Sequence, residues 1–204
     1  MVKVKICGLT DPRQADACAQ AGAWAIGVVL APESPRYVDI ARAAEVLAGV
    51  PDHVARVGIF VNARPSELAR AAGQIGLTHV QLHGTADVDD ARRATGLRVI
   101  VSVPFTGPGV VGEAGAAGAD LVLFDAAIPG LYGGTGRRLD WAAMAASRPG
   151  YPFGLAGGLR PDNVAQAIRI LNPEFVDVSS GVESSPGFKD HAKVEAFMTA
   201  VRGA

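Results

Sequence analysis

Cys7, Asp125 and Arg36 are the side chains of this sequence whose types best suit proton transfer and anion binding. Cys7 closes the apolar run VKVKI at 2–6. A thiol there is either a small buried hydrophobe or, with its pKa lowered, a thiolate base or nucleophile. Asp125 ends the run Leu121-Val122-Leu123-Phe124. Partial desolvation at such a place raises a carboxylate toward the range of a general acid; the alternative is an aspartate that only caps the following loop. Arg36 lies in the proline-framed loop Pro32-Glu33-Ser34-Pro35-Arg36-Tyr37. Its guanidinium can hold a carboxylate bidentately there or simply face solvent.

Gly157-Gly158 and Ser180-Gly181 can present bare backbone N–H groups, which bind a phosphate dianion without a lysine; tight turns are the other use of such glycines. His83 and Asp177 complete the candidate pocket, and a histidine satisfied by backbone is the other reading of His83. Cys18 falls in a predicted helix and reads as structural. Cys7 and Cys18 make neither a metal spacing nor a C-x-x-C pair, and the histidines and carboxylates show no metal spacing. Ser179-Ser180 lacks the context of a serine nucleophile.

Short apolar runs recur at 2–6, 25–30, 55–61, 78–82, 98–103, 120–125, 153–156 and 175–179. Their continuous apolar character predicts parallel strands covered on both faces. Alanine-rich segments between them predict helices. Asp11 and Pro12 open the first, Arg64-Pro65-Ser66 leads into ELARAAGQIG, Pro161 starts PDNVAQAIRIL, and KVEAFMTAV ends the chain. GVVGEAGAAGA predicts only a weak helix, since each interior glycine costs about 1 kcal/mol. This alternation predicts one α/β domain over 1–204, a single (β/α)8 barrel with eight parallel strands. An open doubly wound sheet fits less well because no dinucleotide fingerprint follows the first run. In a barrel, catalytic groups sit at the C-terminal strand ends, and the last two strand loops commonly hold phosphate. Each candidate above meets that condition, as does YGGTG at 132–136 after the sixth run.

The composition excludes other classes. Nineteen basic residues nearly cancel twenty acidic ones, leaving a net charge of -1, which argues against nucleic acid and against a membrane surface as partner. The N-terminus lacks the apolar core of a signal peptide, and no run approaches the ~18 residues of a membrane span. A reduced, cytoplasmic protein is expected, either monomer or homodimer. The 25 glycines, about 12% of the chain against roughly 7% on average, gather at strand ends and helix ends.

KICGLT at 5–10, SPRYV at 34–38, VGIFVN at 57–62, VQLHG at 80–84, LFDA at 123–126 and YGGTG at 132–136 occur in this order, followed by LDW at 139–141. LAGGLRPDNV at 155–164 and DVSSGVESSPGFKD at 177–190 complete the set. Together they resemble the phosphoribosylanthranilate isomerase family of tryptophan biosynthesis over nearly the whole chain. The resemblance implies a (β/α)8 barrel and an Amadori rearrangement of N-(5-phosphoribosyl)anthranilate to 1-(2-carboxyphenylamino)-1-deoxyribulose 5-phosphate. It implies Cys7 as general base, Asp125 as general acid and Arg36 as the group binding the anthranilate carboxylate. Gly157, Gly158, Ser180 and Gly181 are implied to hold the phosphate of this small substrate. No metal or organic cofactor is implied, because the iminium formed on ring opening is itself the electron sink.

Three positions depart from the family pattern. Thr85-Ala86-Asp87 follows QLHG where an acidic residue usually comes sooner, Val101 stands where many members have lysine, and Leu139 replaces phenylalanine. A related isomerase for the histidine-pathway aminoaldose would use two aspartates, against which Cys7 argues. A non-catalytic phosphate-binding barrel would have lost Cys7 or Asp125, and both are present.

Overall fold

Alternation along each apolar run decides which side chains face the barrel axis and which face the helices. The computed structural model describes residues 1–126, 139–147 and 149–204. Its strands are β1 (Lys3–Cys7), β2 (Ala25–Val29), β3 (Ala55–Val61), β4 (His79–His83), β5 (Arg98–Phe105), β6 (Leu121–Ala126), β7 (Phe153–Leu155) and β8 (Phe175–Val178). They form a closed barrel in chain order, every pairing parallel, with β1 beside both β2 and β8. The predicted (β/α)8 architecture is therefore the one observed. The motif YGGTG lies outside the described residues.

Among the described residues, eight helices surround the strands: α1 (Pro12–Gln20), α2 (Ile40–Leu47), α3 (Pro65–Ile75), α4 (Val88–Thr95), α5 (Gly109–Ala116), α6 (Trp141–Ala146), α7 (Val164–Leu171) and α8 (His191–Arg202). Aspartates start most of them. Asp11 accepts from the backbone N–H groups of Arg13 and Gln14, and Asp39, Asp87, Asp140 and Asp190 do the same for α2, α4, α6 and α8. One expectation is corrected. Pro161 does not start α7; that helix begins at Val164, because Asn163 turns its side chain back to accept from Arg160 N and donate to the Gly158 carbonyl. The glycine-rich segment after β5 forms a helix, α5, as expected, with Val111 and Ala114 packing into the core to offset its poor propensity.

Two apolar layers result. Val4, Ile6, Ile26, Val28, Val80, Leu82, Val122, Phe124, Val176 and Val178 pack outward against the helices. Ala25, Val57, Ile59, Ile100, Leu121, Leu123 and Phe175 fill the barrel, with Trp24 and Cys7 against them. Val101 belongs to the outer layer. Its departure from lysine therefore does not remove a charge from the barrel axis. The same period of two turns Lys5, Cys7, Gln81, His83, Asp125 and Asp177 inward. Among the described residues, no helix is long and apolar enough to cross a membrane.

Candidate active site

Cys7 ends β1 half-buried, with its Sγ packed close to Gly27 of the adjoining strand, 3.4 Å from where a Cβ at Gly27 would lie. Two residues below it on the same face, Lys5 is fully buried, and its Nζ lies 2.9 Å from Asp177 Oδ2 on the adjoining strand. The register aligns these two residues directly. A lysine with no solvent access keeps its proton only beside an anion. Burial opposes the Lys5 charge, but the Asp177 carboxylate, with a smaller attraction from Cys7, outweighs it and holds Lys5 above its ordinary value. Burial pushes the Cys7 thiol up, while Lys5 and Lys189 pull it down and Asp177 adds to the rise.

Asp125 faces this group from β6. Its Oδ1 accepts from Ala126 N at 2.7 Å. Burial, reinforced by the Asp177 charge and opposed by that hydrogen bond and by Lys5, pushes its carboxyl up to about 6. That value suits a group that must be protonated part of the time near neutrality. His83, at the end of β4, is pushed down to about 4 by burial and by Lys5, so it is neutral at pH 7. It lies 3.0 Å from Gln81 Nε2.

Arg36 is not a solvated loop arginine. Its Nε and Nη2 donate to the two carboxylate oxygens of Glu183 at 2.8 and 2.7 Å, both side chains buried. Its stem packs on Gly8, the residue after Cys7, where a Cβ would sit 2.5 Å from Arg36 Cδ. Glu183 also binds Lys189 Nζ at 2.7 Å. Glu183 opens β9 (Glu183–Ser185), which pairs with β10 (Phe188–Lys189) in a hairpin after a 3-10 turn at Ser180–Val182. Thr10 and Gln14 bind this hairpin through the Gly187 carbonyl and Lys189 N. The loops after β1, β2 and β8 are thus joined around one buried ion-pair network.

Gly157 and Gly158 adopt left-handed backbone, with φ of 89° and 66°. Only glycine takes two such residues in succession without strain. Gly181 lies directly against this loop: a Cβ there would fall inside the contact shell of the Leu159 carbonyl oxygen. Gly181→Ala therefore forces one loop away from the other, at a cost of about 1–3 kcal/mol. On the expectation that these loops bind a phosphate, the KM should rise roughly tenfold with a smaller change in kcat; an unchanged KM in steady-state assays would overturn that expectation for Gly181.

All nine candidate residues fall within one residue of the C-terminal strand ends or in the loops after them; Cys7, His83, Asp125 and Asp177 face the barrel interior with Lys5, and Arg36 is tied through Glu183 to the hairpin after β8. Sequence reasoning missed Lys5, Glu183, Lys189 and Gln81. A lysine inside the apolar run VKVKI was a signal for Lys5, since an inward charge in a covered strand requires a partner. Among the described residues, no group of His, Cys, Asp and Glu could hold a metal ion.

The family model for N-(5'phosphoribosyl)anthranilate (PRA) isomerase matches residues 4–200. An N-(5'-phosphoribosyl)anthranilate isomerase of Pseudomonas aeruginosa is 45% identical, the match covering 98% of this chain and 95% of the relative. The crystal structure of phosphoribosyl anthranilate isomerase from Thermotoga maritima superposes with a TM-score of 0.89 at 35% identity, covering all of both chains. A second crystal structure of phosphoribosyl anthranilate isomerase, in complex with reduced 1-(o-carboxyphenylamino)-1-deoxyribulose 5-phosphate, gives a TM-score of 0.86 at 33% identity, again over all of both chains.

Proposed function

Because the chain belongs to the N-(5'-phosphoribosyl)anthranilate isomerase family, we propose that Cys7 and Asp125 carry out the Amadori rearrangement of that substrate as general base and general acid. The observation that supports the pair best is their placement on β1 and β6 with the buried Lys5–Asp177 ion pair acting on both.

Protonated Asp125 gives its proton to the furanose ring oxygen. The C1–O bond breaks, and the anilino nitrogen lone pair forms the iminium. The Cys7 thiolate then takes the proton from C2, and those electrons move into the iminium to give an enolamine. The enolamine gains a proton at C1 and loses one from the C2 hydroxyl to become the aminoketose. Oxidation at C2 balances reduction at C1 within one molecule, so no external electron acceptor is needed.

The phosphate end is assigned to Gly157, Gly158, Ser180 and Gly181, next to the loop that leads into α7. The carboxylate end is assigned to Arg36. Glu183 holds its Nε–Nη2 edge, so the edge carrying Nη1 serves the substrate. His83 and Asp177 line the pocket, His83 as a neutral imidazole that adds no charge. A small phosphorylated substrate in the cytoplasm is the partner proposed, with no nucleic acid, membrane or cofactor.

The test is turnover of N-(5-phosphoribosyl)anthranilate by the purified chain, with the histidine-pathway aminoaldose as the competing substrate. Turnover of the latter alone overturns the proposal. Arg36→Met is expected to raise KM about 10–100-fold, the worth of roughly 1.5–3 kcal/mol for a charged hydrogen bond. An analogue lacking the carboxylate should bind wild type and Arg36→Met alike; a preference of wild type for that analogue would assign Arg36 another role.

A further inference from the structure

We propose that Lys5 is a positioning residue for proton transfer: lying below Cys7 on the same face of β1, it raises the share of the barrel mouth's one mobile negative charge that sits on the Cys7 thiolate instead of on Asp125. The inference rests on the reading of those two residues as base and acid, and it begins from a charge count. Lys5, Arg36 and Lys189 are buried cations, and Asp177 and Glu183 are their buried anionic partners. His83 is neutral. These five fixed charges sum to +1. One further negative charge makes the buried cluster neutral, so the Cys7–Asp125 pair holds one proton between its two members. A reaction that needs one acid and one base needs that count.

Where the charge sits then depends on what surrounds each member. Lys5 from the same strand, Asp177 from β8, Lys189 from β10 and Arg36 from the loop after β2 all act on Cys7. The neighbouring parts of β2 and β3 offer uncharged Gly27 and Ile59. Lys5 is the foremost of the cations, since it is fully buried two residues before Cys7 on the same barrel-facing side of β1. Asp125 also feels Lys5, but behind burial, its own Ala126 N–H and the repulsion of Asp177. Lys5 thus stabilises the thiolate more than the carboxylate, and a negative charge on Cys7 leaves Asp125 protonated for its role as acid. Nothing in this requires Lys5 to touch substrate.

The experiment is iodoacetamide alkylation of Cys7 against pH, read peptide by peptide by mass spectrometry in wild type, Lys5→Met and Lys5→Met/Asp177→Asn. Cys18, buried beneath α1, is the internal control. Lys5→Met is expected to move the alkylation profile up by at least about one pH unit, a roughly tenfold loss of thiolate near neutrality. Should the unpaired Asp177 unfold that variant, the double variant removes both charges and leaves no orphan. Its profile should still lie above wild type, because it loses the stronger Lys5 attraction along with the weaker Asp177 repulsion. In steady state, kcat should fall with the thiolate fraction while KM stays within about twofold. A folded Lys5 variant with the wild-type alkylation profile overturns the inference and leaves Cys7 as base. Full turnover by Cys7→Ala overturns the base assignment, and the alkylation comparison still reports on Lys5.

Discussion

Cys7→Ala is expected to lower kcat about 10³-fold, within the 10²–10⁴ range of a general base, and to leave KM within about threefold. The reason for the split is geometric. Cys7 lies at the end of β1, whereas the groups assigned to the two anionic ends of the substrate lie on Arg36 and on the loops after β7 and β8. Removing Sγ takes away a proton acceptor without loosening either anchor. Alanine also keeps the backbone pairing of Cys7 with Gly27 and adds no atom to the crowded space there. Cys7→Ser sharpens the test, since a hydroxyl has the shape of the thiol but does not ionise near neutrality. It should be nearly as slow as alanine. Cys18→Ala should leave kcat unchanged, because Cys18 is packed in the core under α1. Steady-state turnover of Cys7→Ala within threefold of wild type would sink the base assignment.

The strands were readable because a covered parallel strand is a continuous apolar run, and each run of this chain falls within about two residues of the strand observed. Period two then turned Cys7, His83, Asp125 and Asp177 inward together. What the sequence could not convey is contact between distant elements. Glu183 lies 147 residues from Arg36, and only the folded hairpin after β8 brings its carboxylate under the guanidinium. Lys189 joins them from the far arm of the same hairpin. Without Glu183, Arg36 looks like a loop side chain with a choice between substrate and solvent. The helix start at Val164 was misplaced for a related reason: Pro161 is a good first helical residue, but the Asn163 side chain satisfies the turn before it and delays the helix. Val101 shows the converse error. A residue compared by position along the strand says nothing of charge in the pocket until the pleat shows which face it occupies.

Asp125→Asn should be the most damaging single change, lowering kcat about 10³–10⁴-fold, because the amide keeps the shape and the Ala126 N–H contact but has no proton to give the ring oxygen. Its pH dependence carries the sharper information. On the proposed roles the working form of wild type is thiolate Cys7 with protonated Asp125, the less populated placement of the shared proton, since the carboxyl, at about 6, is the more acidic of the two and the thiol is pushed above its ordinary value. Below pH about 6 both groups are protonated, and kcat rises with pH as one proton leaves the pair. Between pH about 6 and the thiol pKa the pair holds one proton, so the working fraction is constant and kcat is flat. Above the thiol pKa the last proton leaves and kcat falls. kcat is the quantity to follow, because the free sugar phosphate has its own second ionisation near pH 6. The variants should break this plateau in opposite directions. Asp125→Asn depends only on thiolate, so its residual kcat should climb about tenfold per pH unit across the range where wild type is flat. Cys7→Ala depends only on protonated Asp125, so its residual kcat should fall over the same range. Two plateaus, or two slopes of the same sign, would mean that Cys7 and Asp125 do not share a proton and that the acid and base lie elsewhere in the mouth of the barrel.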